Sequence, residues 1–163
     1  MTNSNSSENK KLGREEFYHF IGLHYAPQQM KKLKILNLTS DKPYELEQIY
    51  DKLGIPRENI TTVEKDPKKK QRIKNSNFGI RLIEDYSSID DFIRDTDEKF
   101  DIINIDYSGN MNWQQVITIS NIAVKDMLRD RGILQHGTQE EGKIRLHKEI
   151  LWGTINPLKM PCQ

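Results

Sequence analysis

Three short apolar runs in this 163-residue chain end in a carboxylate: residues 60–64 in Glu64, 80–85 in Asp85 and 101–106 in Asp106. A carboxylate closing such a run can accept both hydroxyl hydrogens of a ribose, which is the chemistry expected of Glu64. The plainer reading is a charged residue meeting solvent at a strand end. Asp85 can accept from an adenine amino group or simply begin a loop. Asp106 is followed by Tyr107, and a carboxylate beside an aromatic ring can orient an amino group while the ring stacks on a base. The alternative makes the pair a loop anchor and a surface tyrosine.

The elements that must position these groups are read from apolar periodicity. Residues 33–38, 60–64, 80–85, 101–106 and 132–135 are strand-like runs separated by helix-like spans. That alternation predicts an α/β fold with a mostly parallel sheet wrapped on both faces. Ligands of such sheets bind beyond the carboxyl ends of the strands, so function is expected at Asn37, Leu38, Thr39, Ser40, Asp41, Glu64, Asp85 and Asp106. A helix over 14–22 packs Phe17, Phe20 and Ile21. Ser40 or Asp41 caps the next helix, Pro43 suits its first turn, Leu46, Ile49, Tyr50 and Leu53 form its buried stripe, and Gly54 closes it. Asp66 and Pro67 open a basic helix with Ile73 as its aliphatic anchor. Trp113, Val116, Ile117, Ser120, Ala123, Val124, Met127 and Leu128 mark a long amphipathic helix, ended by residues 129–132. Residues 142–152 read as a further helix, and no sixth or seventh strand is legible.

Composition narrows the function classes. A formal net charge of +1 with 30% charged residues gives no global field for nucleic acid or an anionic membrane. Locally, Lys65, Lys68, Lys69, Lys70, Arg72 and Lys74 stand against only Asp66, whereas residues 84–106 are acidic. Both can be solvated surface. The lone Cys162 makes neither a disulfide framework nor a cysteine metal site, and a reducing cytoplasm is the expected home. His19 and His24 lie five apart, not at the i, i+4 spacing that shares one metal, so no metal is expected. No apolar run approaches 18 residues, so no membrane span is expected. Polar residues 1–11 are expected to be a disordered leader and 12–163 a single domain.

Together, residues 36–41 after the first strand, Glu64 closing the second, Glu84 with Asp85 closing the third, and Asp106 with Tyr107 closing the fourth resemble the class I S-adenosylmethionine-dependent methyltransferases over roughly 30–137. The resemblance implies a three-layer Rossmann-like sheet of order 3-2-1-4-5, here lacking or truncated in its last strands. It implies S-adenosylmethionine held by Asn37, Leu38, Thr39, Ser40, Glu64, Asp85 and Asp106, with Asp106 and Tyr107 near the methyl acceptor; the basic segment over 65–74 makes nucleic acid the first expectation for that acceptor. The loop over 37–44 carries no glycine, where family members use glycines to let backbone approach the cofactor. Residues 106–109 lack the prolines of the amino-methylating motif. A catalytically inactive binding or scaffolding module with the same fold is the competing expectation. The sheet edge is expected to be covered by a second copy, by an additional chain segment or by residues 143–152.

Overall fold

The structure is a computed structural model that describes residues 3–38, 42, 44–106, 112–138 and 142–147. Runs of β-branched and aliphatic residues form β1 (Ile35–Asn37), β2 (Ile60–Val63), β3 (Arg81–Ile83), β4 (Phe100–Asp106) and β5 (Leu128–Thr138). Among the described residues these join β6 (Gly142–His147) in one sheet of order β3-β2-β1-β4-β5-β6. The first five strands are parallel, in the expected order 3-2-1-4-5.

Alternate residues of each central strand feed different cores. Ile35, Ile60, Ile102 and Ile133 face one side, with Phe17, Ile21 and Tyr25 of the α1 (Asn3–His24) end and with Leu46, Ile49 and Tyr50. Leu36, Ile103, Ile105 and Leu134 face the other, with Phe92, Ile93 and Ile122 of α4 (Ile89–Asp95) and α5 (Trp113–Val124). Burial on both faces is what a parallel strand requires of its near-continuous apolar sequence. A single turn, α2 (Pro27–Met30), links α1 to β1. The Leu46–Tyr50 segment is π-helical, with Asp51 N–H reaching the Leu46 carbonyl, and Gly54 follows with φ 70°. The basic helix, α3 (Pro67–Ser76), buries only Ile73.

Four expectations are corrected. Residues 3–11, expected to be disordered, continue α1, since lengthening an anchored helix costs far less than nucleating one. Residues 142–147, expected to be helical, form β6, antiparallel to β5 with Ile133 opposite His147 and Thr138 opposite Gly142. The sheet is therefore not cut short at β5, and the edge is paired by the chain's own hairpin; residues 148–152 lie outside the described residues. The helix expected to run through Leu128 ends at Val124, and residues 129–132 are strand, not a terminator. Finally, α5 buries Gln115, Thr118 and Ile122, while Trp113, Val116, Ile117 and Val124 are exposed. Side-chain bonds fix that rotation: Asn112 and Gln115 cap the helix reciprocally, and Gln114 and Thr118 both donate to the Asp90 carboxylate of α4.

The 129–132 segment is a bulge, because Leu128 pairs with Phe100 and Ile133 already with Ile102. The Tyr25 hydroxyl donates to the Asp101 and Arg131 carbonyls, both at 3.0 Å, and Arg129 bonds the Asp101 carboxylate at 3.1 Å. Burial pushes the Tyr25 hydroxyl above the ordinary phenol range. A Cβ on Gly132 would lie 2.8 Å from the Arg129 carbonyl oxygen and 2.9 Å from Leu128 Cβ. The Gly132→Ala variant is expected to lose about 1–3 kcal/mol, the cost of overpacking a closed site. Urea unfolding with an unchanged m-value checks it.

Candidate functional site

The sheet reverses direction between β1 and β4: β2 and β3 build outward on one side of β1, β4 and β5 on the other. That switch point opens a crevice at the carboxyl edge. The register sets the height of the groups around it. Thr61 and Ile103 are both level with Leu36, Glu64 lies three residues past Thr61, and Asp106 three past Ile103. Glu64 and Asp106 thus reach the same edge on either side of β1, about 10 Å apart at the usual strand spacing.

Glu64 is half-buried, and its Oε1 accepts the Asp66 N–H at 2.8 Å. Asp66 in turn caps α3 through Lys68 and Lys69 N–H, and these two backbone donors hold its carboxyl below the usual carboxylate range. The contact engages one of the two Glu64 oxygens. Asp85 is exposed beside Glu84, at the exit of β3. Lys70 Nζ secures that exit by donating to the Glu84 and Tyr86 carbonyls, both at 3.1 Å, and Lys74 pairs with Glu84 at 2.9 Å. Two of the basic residues of α3 therefore organise the neighbouring loop. Asp106 is the last residue of β4, paired with Gly137. Its side chain, together with Tyr107, Thr39, Ser40 and Asp41, lies outside the described residues, as do the backbone conformations of those four neighbours.

Neither Asn37 nor Leu38 faces the crevice with its side chain, contrary to the expectation that both would hold the cofactor by theirs. Leu38 is packed against the α4/α5 core, and its N–H donates to the Asn104 carbonyl at 3.0 Å. Asn37 is fully buried, and its Oδ1 accepts from the Tyr50 hydroxyl at 2.9 Å and from Asn104 Nδ2 at 2.7 Å. Asn104 is level with Asn37 and Gln135 with Asn104. With Thr62, two residues past Ile60 on β2, they make a buried polar row directly below the carboxyl edge, on the α1 side of the sheet. Burial raises the Tyr50 hydroxyl above the ordinary phenol range, so it stays a neutral donor. The sequence reading treated Tyr50 as packing and passed over Thr62, Asn104 and Gln135. The available signal was an amide interrupting the isoleucines of β4, because a strand buried on both faces admits an amide only with hydrogen-bond partners.

Of the seven expected contacts, Glu64 and Asp85 are the two described side chains at the strand ends that are not packed into a core. A half-buried carboxylate with an oxygen to spare at the end of β2, and an exposed one at the end of β3, have the acceptor chemistry that ribose hydroxyls and an adenine amino group require. Glu64 and Asp85 therefore have the chemistry to fit such a group, whereas the side chains of Asn37 and Leu38 are engaged elsewhere. Among them no cluster of His, Cys, Asp and Glu could hold a metal, and no helix is long and apolar enough to cross a membrane.

No protein-family model matches this sequence, and no curated protein matches it. Solved structures do. A proposed methylase from Haemophilus influenzae superposes with TM-score 0.59 at 12% identity, over 79% of this chain and 81% of that one. A proposed methyltransferase from Escherichia coli gives 0.57 at 15%, over 78% and 69%. The chain has a class I methyltransferase-like fold. A conserved Streptococcus pyogenes protein of unassigned function shares this methyltransferase-like fold, with TM-score 0.55 at 17% identity over 77% and 75%. At such identities it is the arrangement of strands that is common, and in this methyltransferase-like chain the β1 exit loop has no glycine over 37–44.

Proposed function

We propose that the protein is an S-adenosylmethionine-dependent methyltransferase of the cytoplasm, acting on a nucleic acid. The observation that carries this reading is the equal height of Glu64 and Asp106 on either side of β1 at the order reversal. Glu64 would accept from the ribose hydroxyls, Asp85 from the adenine amino group, and the β1 exit over 37–40 would border the methionine part. When bound, the cofactor supplies an electrophilic methyl group on a sulfonium. Asp106 would orient the acceptor and take up its proton, and Tyr107 would stack on it, so that catalysis rests on positioning and deprotonation. Lys65, Lys68 and Lys69, beside the β2 exit, supply positive charge for a phosphate backbone.

The glycine-free loop favours the second reading, a binding module of the same fold without transfer activity. Thermal melting with S-adenosylhomocysteine separates the two. A ligand at 100 times its dissociation constant adds about 2.7 kcal/mol of apparent stability. A melting temperature unmoved at millimolar ligand sinks the enzyme reading.

A further inference from the structure

We infer that the exposed face of α5 is the contact surface for a second copy of this chain, paired antiparallel about a two-fold axis. Trp113 is 81% exposed, Val124 70%, Ile117 47% and Val116 36%. They recur along one side of the helix, opposite the buried Gln115, Thr118 and Ile122. The flank toward α4 is occupied: Gln114 and Thr118 bond Asp90, and Lys125 Nζ donates to the Arg94 and Thr96 carbonyls, both at 2.7 Å. The free side of β5 is paired with β6. Among the described residues of α5, the outward stripe is what is left uncovered.

Its chemistry selects a copy of itself. The helix Trp113–Val124 contains no charged residue, so two such faces meet without like-charge repulsion and without stranding an ion. Depletion of charge with a prominent tryptophan is the composition of an interface centre. The sizes along the stripe are also self-complementary. A two-fold axis through the middle of the helix sets Trp113 against the smaller Val124 of the second copy, and Ile117 against the small Ser120. Antiparallel pairing also places each helix amino end beside the other's carboxyl end, which the helix dipoles favour. The four apolar side chains expose together on the order of 400 Å², the patch size that marks an interaction site. Two copies with their neutral flanks then reach roughly 1,000–1,200 Å², the lower end for a specific interface. The dimer is accordingly concentration-dependent, with dissociation in the micromolar range.

Sedimentation equilibrium of the full chain over a wide concentration range tests this. Wild type is expected to show monomer–dimer exchange, and Ile117→Lys and Val124→Lys each to weaken it at least tenfold with circular dichroism and melting temperature unchanged. Leu23→Lys, at a residue 89% exposed on α1, is expected to leave dimerisation as it was; an equal loss there would mean general stickiness and would overturn the inference. So would a wild type that stays monomeric at several hundred micromolar. Acrylamide quenching in a Trp152→Phe background then tells which alternative holds. A monomer with Trp113 shielded means that the chain's own residues cover α5, and a monomer with Trp113 quenched means an open surface.

Discussion

Replacing Asn104 by aspartate is expected to destabilise the protein by about 3 kcal/mol at neutral pH, and to make it more stable in mild acid than at pH 7 relative to wild type. Asn104 is 98% buried by its 2% exposure, and its Nδ2 is one of two donors to Asn37 Oδ1. A carboxylate there removes the donor and faces an acceptor oxygen in a site closed to water, which disfavours the charged form and raises its pKa in the folded state. The sign follows from linkage. A group whose folded pKa is raised contributes fully below its unfolded value, about 3.9 for aspartate, and its contribution disappears as pH rises through the folded value. The protonated carboxyl can still donate to Asn37; the ionised one cannot. Chemical denaturation of Asn104→Asp and wild type from pH 4 to 8 measures the difference. Asn104→Leu is the companion, with a pH-independent loss because leucine has no proton to gain or lose, while the Tyr50 hydroxyl still donates to Asn37. A flat difference for Asn104→Asp would mean that the row is open to solvent, contrary to its burial.

The Glu64→Ala variant is expected to lose most of the roughly 2.7 kcal/mol that saturating S-adenosylhomocysteine adds to wild type. Glu64 also accepts the Asp66 N–H ahead of α3, so the ligand-free variant will itself melt somewhat lower. The informative quantity is the ligand-induced shift of each protein against its own baseline. Glu64→Gln keeps an acceptor oxygen for Asp66 but only a neutral one for the ribose, and is expected to fall between. If wild type shifts and Glu64→Ala shifts equally, the ribose belongs to another carboxylate, with Asp85 next to be replaced. That outcome would leave the fold, and the α5 interface, untouched.

Much of the architecture was legible in the sequence because each central strand carries its own evidence. Runs such as Ile102, Ile103 and Ile105 suit only a strand buried on both faces, and the cap at Asp66 sits where α3 begins. The carboxylates at the strand ends were legible for the same reason: a strand's last residue is a local property, and parallel topology then gathers those ends at one edge. Even β6 carried a local signal, the polar and apolar alternation of Lys143, Ile144, Arg145, Leu146 and His147. It competes with helix-favouring lysine and arginine, and the pairing with β5 decides it.

Tertiary structure alone decided three things. Which face of α5 turns inward depends on Asp90, a residue of another helix that holds Gln114 and Thr118; periodicity pointed to the opposite face because apolar residues occur on both. Which polar residues form the row beneath the site depends on register between strands remote in sequence, with Asn37, Asn104 and Gln135 brought level only by pairing. The bulge before Ile133 depends on Tyr25 and Asp101 holding residues 129–131 out of the ladder. A hydrophobic pattern specifies that a segment is buried, and how often; the partner it is buried against is a property of the assembled chain.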